Sequence, residues 1–307
     1  MVKYSELSKR PTRFLAMTGY TVIEFQALLP EFQAQFENYV KTSTLDGKKR
    51  IKRRYSTYTN SPLPTIEDKL LFIMVYLKQA TTQEVHGTLF GMAQPDANNW
   101  IHLLHPILNR ALAALDELPV RDAEDLHLDE NEHKLFFHDG TERPINRPKD
   151  KEDQKTFYSG KKKQHTVKNN VIIDPTCKIA FLTKLCEGKK SDKKISDEAD
   201  YQLPQGSVLY QDKGFQGFHL DGVTIIQPKK KPRGKELTAE EKARNREISS
   251  IRIRVEHAIG GVKRYRIVKD KSRNRKKGFR DQVMETCCGL HNFRLNFRPW
   301  HYEIPSI

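Results

Sequence analysis

Apolar residues recur at helical spacing near both ends of the chain and at strand spacing in the middle. In "TVIEFQALLPEFQAQFENYV", Ile23, Leu28, Phe32, Phe36 and Val40 keep roughly the spacing of an amphipathic helix. In "TIEDKLLFIMVYLKQ", Thr65 and Asp68 stand in a capping-box relation, and Leu70, Ile73, Met74 and Leu77 follow at i, i+3, i+4, i+7. A short helix, "TTQEVHGTLFG", ends at Gly91. After the turn "GMAQ" a third begins with Pro95 at its first position and runs through Trp100, Ile101 and Leu104. Three helices, the last two joined by a tight glycine-bearing turn, predict a helix-turn-helix.

From about residue 130 the texture changes to strands broken by turns: "KLFFHD" (134–139), "QHTVKNNVIID" (164–174), "KIAFLTKLCEG" (178–188), "GSVLYQD" (206–212) and "GVTIIQP" (222–228). "DPT" between the second and third is a turn signal and predicts a hairpin. Strands and a hairpin arrive before any long helix, which predicts a mixed sheet with an antiparallel half. Helical spacing returns with Ile248, Ile251, Val255, Ile259 and Val262, after a capping box at Thr238 and Glu241; a final amphipathic segment, "DQVMETCCGLHNFRLNF", is expected to close the same domain. The expected layout is a helical arm and basic linker (1–60), a helix-turn-helix domain (61–120) and an α/β domain with a mixed five-stranded sheet flanked by helices (130–307).

Charge narrows the partners. Lys and Arg number 54 against 39 Asp and Glu, a formal net charge of +15, and the cations are bunched in "KKRIKRR", "KKK", "KKKPRGK" and "KDKSRNRKK". Bunching favours a polyanion track over general solubility, and double-stranded DNA is the first partner to consider. If the helix-turn-helix faces a major groove, Asn98 and Asn99 at the start of its third helix are placed to bond adenine edges or phosphates; the spacing does not choose between them. Lys229, Lys230 and Lys231 of the third run, and Arg273 and Arg275 of the fourth, are expected as outer phosphate contacts. Cys177, Cys186, Cys287 and Cys288 form no CxxC pair and no cluster at zinc spacing, so they read as reduced, mostly buried thiols. The N-terminus lacks the apolar core of a signal peptide and no stretch approaches a membrane span, which points to a cytoplasmic protein with no membrane partner.

Two aspartates end bulky apolar strands beside glycines: Asp139 in "LFFHDG" and Asp212 in "SVLYQDKG". Strand ends of this kind are where α/β folds present functional groups, and glycine there permits close approach of backbone or substrate. A third acid, Glu256, lies in "SSIRIRVEHAIGGVKRYRI". On a continuous helix, Arg252, Glu256 and Lys263 project from one side, opposite Ile251, Val255, Ile259 and Val262. One reading is an ion-pair ladder on a solvated face. The other has Asp139, Asp212 and Glu256 hold Mg²⁺ or Mn²⁺, hard ions that take oxygen ligands, while Arg252 and Lys263 guide a phosphate backbone. Two such ions, about 3.5–4 Å apart, support in-line phosphoryl displacement.

"HDGTERPINRP", "YQDKGFQG", the helix around Glu256 and "CCGLHNF" occur in this order. The set resembles the successive motifs of DDE transposases of bacterial insertion sequences, the insertion-sequence-five-like group that is similar to the eukaryotic Harbinger-type enzymes. In the glutamate motif of that group, Arg252, Glu256 and Lys263 match, and Ser249 stands where the family carries tyrosine. The resemblance covers roughly residues 60 to 297. It implies a ribonuclease-H-like fold, Asp139, Asp212 and Glu256 as the catalytic and metal-binding triad, and use of two ions of Mg²⁺ or Mn²⁺. It further implies binding of terminal inverted repeats, strand cleavage and transfer into target DNA, and a homodimer or larger assembly on paired ends near the bacterial nucleoid. Two alternatives stay open: a metal-dependent nuclease that cleaves without joining, and a DNA-binding regulator whose catalytic-looking domain is degenerate.

Overall fold

The computed structural model of the 307-residue chain describes residues 1–51, 54–58, 60–126, 134–274 and 276–302. Three helices open it: α1 (Tyr4–Leu7), α2 (Pro11–Thr18) and α3 (Val22–Thr42). Thr21 and Glu24 form a reciprocal capping box at the start of α3, which satisfies two backbone donors that no helical carbonyl can reach. Phe25, Leu28, Phe32, Phe36 and Val40 form its buried stripe. Ile23, expected on that stripe, is exposed, because it falls out of phase with a row that begins at Phe25. The basic segment after α3 turns back on the helix: Ser43 and Lys49 form an isolated bridge. Arg50 Nε donates to Val40 O at 2.6 Å and to Ser43 O at 3.2 Å, closing carbonyls that the helix end leaves open.

Helices α4 (Ile66–Gln79), α5 (Gln83–Phe90) and α6 (Gln94–Ala114) are the predicted helix-turn-helix series. Thr65 Oγ1 accepts from Asp68 N at 3.1 Å and caps α4. Every residue of α4 from Asp68 to Leu77 is buried, so the stripe Leu70, Ile73, Met74 and Leu77 is part of a helix enclosed on all sides. Gly91 ends α5 in the left-handed region at φ 71°, where a side chain would be strained, and Pro95 opens α6. This helical unit comprises Met1–Leu118, the segment Lys263–Asp270 with α10 (Arg266–Lys269), and Gln282–Phe297, which holds most of α11 (Phe279–Leu295). The closing helix, expected in the sheet domain, therefore supplies core to the helical unit, where Cys287, Cys288 and Leu290 are fully buried.

The second unit comprises Pro119–Val262, Lys271–Asp281 and Arg298–Ile307. Its strands are β1 (Leu135–Pro144), β2 (Tyr158–Ser159), β3 (Gln164–Ile173), β4 (Ile179–Leu182), β5 (Cys186–Glu187), β6 (Val208–Gln211) and β7 (Thr224–Ile226); its helices are α7 (Lys151–Phe157), α8 (Asp192–Ala199) and α9 (Ala239–Val262). All five predicted strand regions carry strand, but the one expected over 178–188 is split into β4 and β5, and with the added β2 the sheet has seven strands, ordered β2-β3-β1-β6-β7 with β4 and β5 also on β3. Strand β1 runs antiparallel to β3, which forms the predicted hairpin with β4; β1–β6 and β6–β7 are parallel. This is a mixed sheet flanked by helices, an α/β fold of the ribonuclease-H-like kind.

Alternation along β1 and β6 sorts their side chains between the two faces. Phe136 and Leu209 enter a core with Ile172, Phe181, Tyr201, Phe215 and Phe218. Phe137 and Tyr210 point the other way and stack at 5.7 Å, on the face where Arg254 of α9 lies 5.3 Å from the Phe137 ring. Two residues further along each strand, the same alternation brings Asp139 and Asp212 to the α9 side.

Candidate active site

Asp139 lies near the middle of β1, one residue beyond the end of its pairing with β6, and Asp212 directly follows β6. The parallel register sets Phe137 beside Tyr210 and His138 beside Gln211, so the two acids stand at neighbouring positions on the rim. Between them lies Arg252 of α9. Its Nη2 is 3.7 Å from Asp139 Oδ2 and its Nη1 is 3.6 Å from Asp212 Oδ1. These separations are ion pairs but too long for hydrogen bonds. One guanidinium thus faces two carboxylates without closing on either.

The surroundings set the charge of the pair. Burial pushes Asp139 up to about 6; the Arg252 guanidinium and the Gly140 N–H, which donates to Oδ1 at 2.8 Å, pull it back, and Asp212 and Asp192 add repulsion. Beneath the acids, His138 Nδ1 lies 2.8 Å from Gln211 Nε2. Ser196 Oγ and the Tyr201 hydroxyl lie within 3.3 Å of the His138 ring nitrogens. Gln227 Nε2 donates to Gln211 Oε1 at 2.8 Å and to Phe215 O at 3.1 Å. Full burial holds the His138 imidazole neutral, lowered to about 3. This buried polar ladder ties β1 to β6 and to the turn after Asp212. The sequence reading missed His138 and Gln211; their signal was a polar residue placed immediately before each strand-end aspartate.

Glu256 is exposed on α9, one turn beyond Arg252. Among the described residues, no group of three or more His, Cys, Asp and Glu side chains is gathered closely enough to hold a metal ion. The geometry therefore brings Asp139 and Asp212 together around Arg252 and leaves Glu256 outside the cluster. The expected single face of Arg252, Glu256 and Lys263 is not what forms. Arg252 is buried on the stripe of Ile248, Val255 and Val262, and the helix ends at Val262, one residue before a half-buried Lys263. Arginine reads as polar in a periodicity, but two carboxylates and an aromatic ring draw Arg252 and Arg254 beneath the helix. Ser249 is exposed and bonds back to Asn245 O at 2.8 Å.

The turn after Asp212 contains Gly217 at φ 83°, a left-handed position that glycine takes without strain. Gly140 answers a close approach: a β-carbon there would meet Asp192 Cγ at 2.8 Å. Glycine beside the strand-end aspartates was expected to permit close approach of backbone or substrate; at Gly140 the group that approaches is a side-chain carboxylate of this chain. Asp192 was not singled out in the sequence, where it sits inconspicuously in the lysine-flanked "KKSDKK".

The predicted DNA contacts divide. Asn99 is exposed, whereas Asn98 Oδ1 accepts from Gln83 Nε2 at 2.8 Å, and Gln83 Oε1 accepts from Gln94 Nε2 at 2.6 Å. A bidentate adenine contact needs both amide groups, so Asn99 is the better placed of the two. Lys229 and Lys231 pair with Glu241 and Glu236, while Lys230 is exposed. Arg273 is exposed. Arg275 lies outside the described residues, as do the acids Asp129, Glu130 and Glu132 that precede β1. Cys177, Cys287 and Cys288 are buried and Cys186 is half-buried, and none of the four is in a disulfide. No described helix is long and apolar enough to cross a membrane.

Residues 138–292 match the family described as DDE superfamily endonuclease, and residues 61–114 match the helix-turn-helix of DDE superfamily endonuclease. The chain is 27% identical over 279 residues to a protein of Microchaete diplosiphon named as the probable transposase for insertion sequence element IS702, covering 90% of this chain and 95% of that one. No solved structure matches. With the aspartates at adjacent strand ends of a mixed sheet and both matches in register with the two motif regions, the chain belongs to the DDE superfamily endonucleases, as a DDE transposase with an N-terminal helix-turn-helix.

Proposed function

We propose that this protein binds the terminal inverted repeats of its own insertion sequence, cleaves the DNA strands there in a metal-dependent reaction, and joins the free 3′-hydroxyl ends to target DNA. The observation that carries the reading is the pair of carboxylates, Asp139 and Asp212, sharing the Arg252 guanidinium at 3.7 and 3.6 Å. Two acids held around one cation, with oxygen donors only, suit a hard divalent ion such as Mg²⁺ or Mn²⁺. Asp139 and Asp212 would hold it, and Glu256, one helical turn from Arg252, is the third proposed ligand. When bound, such ions supply Lewis-acid activation of a water or a 3′-hydroxyl for in-line phosphoryl displacement.

In this reading Arg252 has two duties: it balances the acids while DNA is absent, and it turns to a phosphate as the carboxylates take up a cation. Lys230, Lys263 and Arg273 extend the positive track along the backbone, and Asn99 reads a base edge or a phosphate. The relative named as a probable transposase, which this chain matches over most of its length, supports joining as well as cleavage. We place the protein on paired element ends as a dimer or larger assembly in the bacterial cytoplasm.

The test uses the full chain with labelled DNA carrying the ends of the element that encodes it. Cleavage at the ends, followed by a joined product when target DNA is added, is expected in Mg²⁺ or Mn²⁺. It should be lost in Asp139→Asn, Asp212→Asn and Glu256→Gln while DNA binding persists. Cleavage equal to wild type in any one of these removes that residue from the site. Cleavage with no joined product would leave a nuclease.

A further inference from the structure

Asp192, the first residue of α8, lies against both acid-bearing turns. A β-carbon on Gly140 would stand 2.9 Å from its Oδ1, and one on Gly214 would stand 3.4 Å from its Oδ2. The carboxylate therefore straddles the segments that follow Asp139 and Asp212, and it reaches the rim from the opposite face of the sheet to α9. Lys168 balances one side of it, at 3.3 Å from Oδ1, and also donates to Lys190 O at 3.0 Å.

A second group points into the same place. Asn170 is paired with Gly140 in the β1–β3 register and is wholly buried. Its Nδ2 donates to Asp192 O at 2.7 Å and to Ser196 Oγ at 2.8 Å. Those bonds fix the amide orientation, since a backbone carbonyl can only accept. Asn170 Oδ1 then has no partner, yet it lies 3.2 Å from where a Gly140 β-carbon would be, beside the Asp192 carboxylate. A buried acceptor left without a donor is destabilising. Among the described residues no group donates to it.

We propose that Asp192 and Asn170 Oδ1 form an outer-sphere half-site for a hydrated divalent cation, accepting hydrogen bonds from the hydration shell of the ion held by Asp139 and Asp212. This deepens the metal-dependent reading above and rests on it. Mg²⁺ dehydrates reluctantly and is commonly held by one or two carboxylates with several waters retained. That habit matches a site in which only two acids converge directly and Asp192, close enough to repel Asp139, stands behind the turns that carry them. Gly140 leaves the room that the Asp192 carboxylate occupies, which a β-carbon would take. Asp192 and Asn170 are thus positioning residues: they orient the shell and do not touch DNA.

The test needs no catalysis. Cobalt(III) hexammine keeps its six ammines and mimics a hydrated Mg²⁺ that binds through its shell alone, whereas Mn²⁺ also binds acids directly and is counted by its paramagnetic resonance signal. On the DNA-free full chain, cobalt hexammine should bind at the site and compete with Mn²⁺. Asp192→Asn should weaken cobalt hexammine by about 10–100-fold, the usual loss for an outer-shell partner, and weaken Mn²⁺ less. Gly140→Ala, which fills the room that the Asp192 carboxylate occupies, should act in the same direction, and it serves as the second variant if Asp192→Asn fails to fold as judged by thermal melting. Cobalt hexammine bound as in wild type by either folded variant overturns the inference. If Asp139→Asn and Asp212→Asn leave Mn²⁺ binding unchanged, the metal-site reading itself fails, a separate result from unaltered binding in Asp192→Asn alone.

Discussion

His138 and Gln211 face each other across β1 and β6, with 2.8 Å between Nδ1 and Nε2, each directly preceding one of the two aspartates. Both are fully buried. Because the imidazole is neutral down to about pH 3, it holds this bond throughout the range in which the protein works. The contact fixes the distance between the strand ends from below, on the face opposite Asp139 and Asp212.

Gln211→Leu is expected to remove the bonds of Gln211 to His138 Nδ1 and Gln227 Nε2, leaving the first only the Tyr201 hydroxyl at 3.3 Å and the second only Phe215 O at 3.1 Å, at a cost of about 0.5–1.5 kcal/mol for each bond lost. Urea unfolding of the variant should show that loss with an unchanged slope. A change under 0.5 kcal/mol, roughly the scatter of surface substitutions, would mean the ladder does not hold the strands.

Arg252→Gln removes the one cation that Asp139 and Asp212 share. Breaking a buried pair typically costs about 3–5 kcal/mol, but Asp212 is 43% exposed and water replaces part of what is lost, so the low end is expected. A divalent ion should then stabilise the variant more than it stabilises wild type, since among the described residues no other cation pairs with these carboxylates. Melting temperatures measured with and without Mg²⁺ check this; an equal Mg²⁺ shift in both proteins would show that guanidinium and ion do not share a place.

Much of this site was legible in the chain. "KLFFHD" and "SVLYQD" are bulky apolar runs that stop at an aspartate, and the parallel pairing of β1 with β6 follows from their burial on both faces. The capping box at Thr238 and Glu241 was also readable and forms as expected, with Thr238 N bonded to Glu241 Oε2 at 2.9 Å and Glu241 N to Thr238 Oγ1 at 3.1 Å. What was not readable depends on contacts distant in sequence. The rotation of α9 is set by acids forty or more residues away in the chain. Asp192 is drawn to the rim by Gly140 and Lys168, and nothing within "KKSDKK" distinguishes it from any other helix start.

Lys69 gives the helical unit a predictable pH response. It is 2% exposed, donates to Leu63 O at 2.8 Å, and lies 5.4 Å from the Phe36 ring centre. Burial lowers it from its ordinary 10.5 to about 8, against the pull of Asp68 and Glu67. The unfolded chain therefore binds more protons between pH 8 and 10.5, and this group's contribution to stability rises with pH across that window. Below pH 8 the penalty is present in full. Lys69→Met should remove the rise, visible as a flatter dependence of unfolding midpoint on pH between 8 and 10; an identical profile in both proteins would rule Lys69 out as its source.

The lysine run at 229–231 should not act as three equal phosphate contacts. Lys229 and Lys231 are paired with Glu241 and Glu236, and Lys230 is exposed. DNA must exchange the first two away from carboxylates, which returns part of the gain. Lys230→Ala is expected to flatten the log–log dependence of DNA binding on salt by nearly 0.9, and Lys229→Ala by less. Equal changes from the two would show that the carboxylates offer no competition to phosphate.

Residues 125–307 read in sequence as a self-sufficient catalytic domain, and a fragment of that span was the natural choice for separating cleavage from recognition. The partners of the closing helix argue otherwise. His105 Nε2 and Asn109 Nδ2 both lie 3.0 Å from Thr286 Oγ1, the Tyr20 hydroxyl donates to Leu290 O at 2.7 Å, and Asn292 Nδ2 donates to Glu117 O at 3.0 Å. All of these partners precede residue 125. Removing them uncovers Cys287, Cys288, Leu290 and Phe293, every one buried in the intact chain, and strips buried polar atoms of their bonds, two of the mechanisms that produce large losses of stability. The fragment is expected to aggregate, or to bind a hydrophobic dye and unfold without cooperativity. A fragment of residues 119–281 should be better behaved, because Pro119–Val262 and Lys271–Asp281 belong to the sheet unit and it keeps Arg121, whose Nη2 pairs with Asp281 Oδ2 at 2.6 Å. Cooperative unfolding of 125–307, with no gain on removing residues 282–307, would show that the closing helix does not depend on the N-terminal helices.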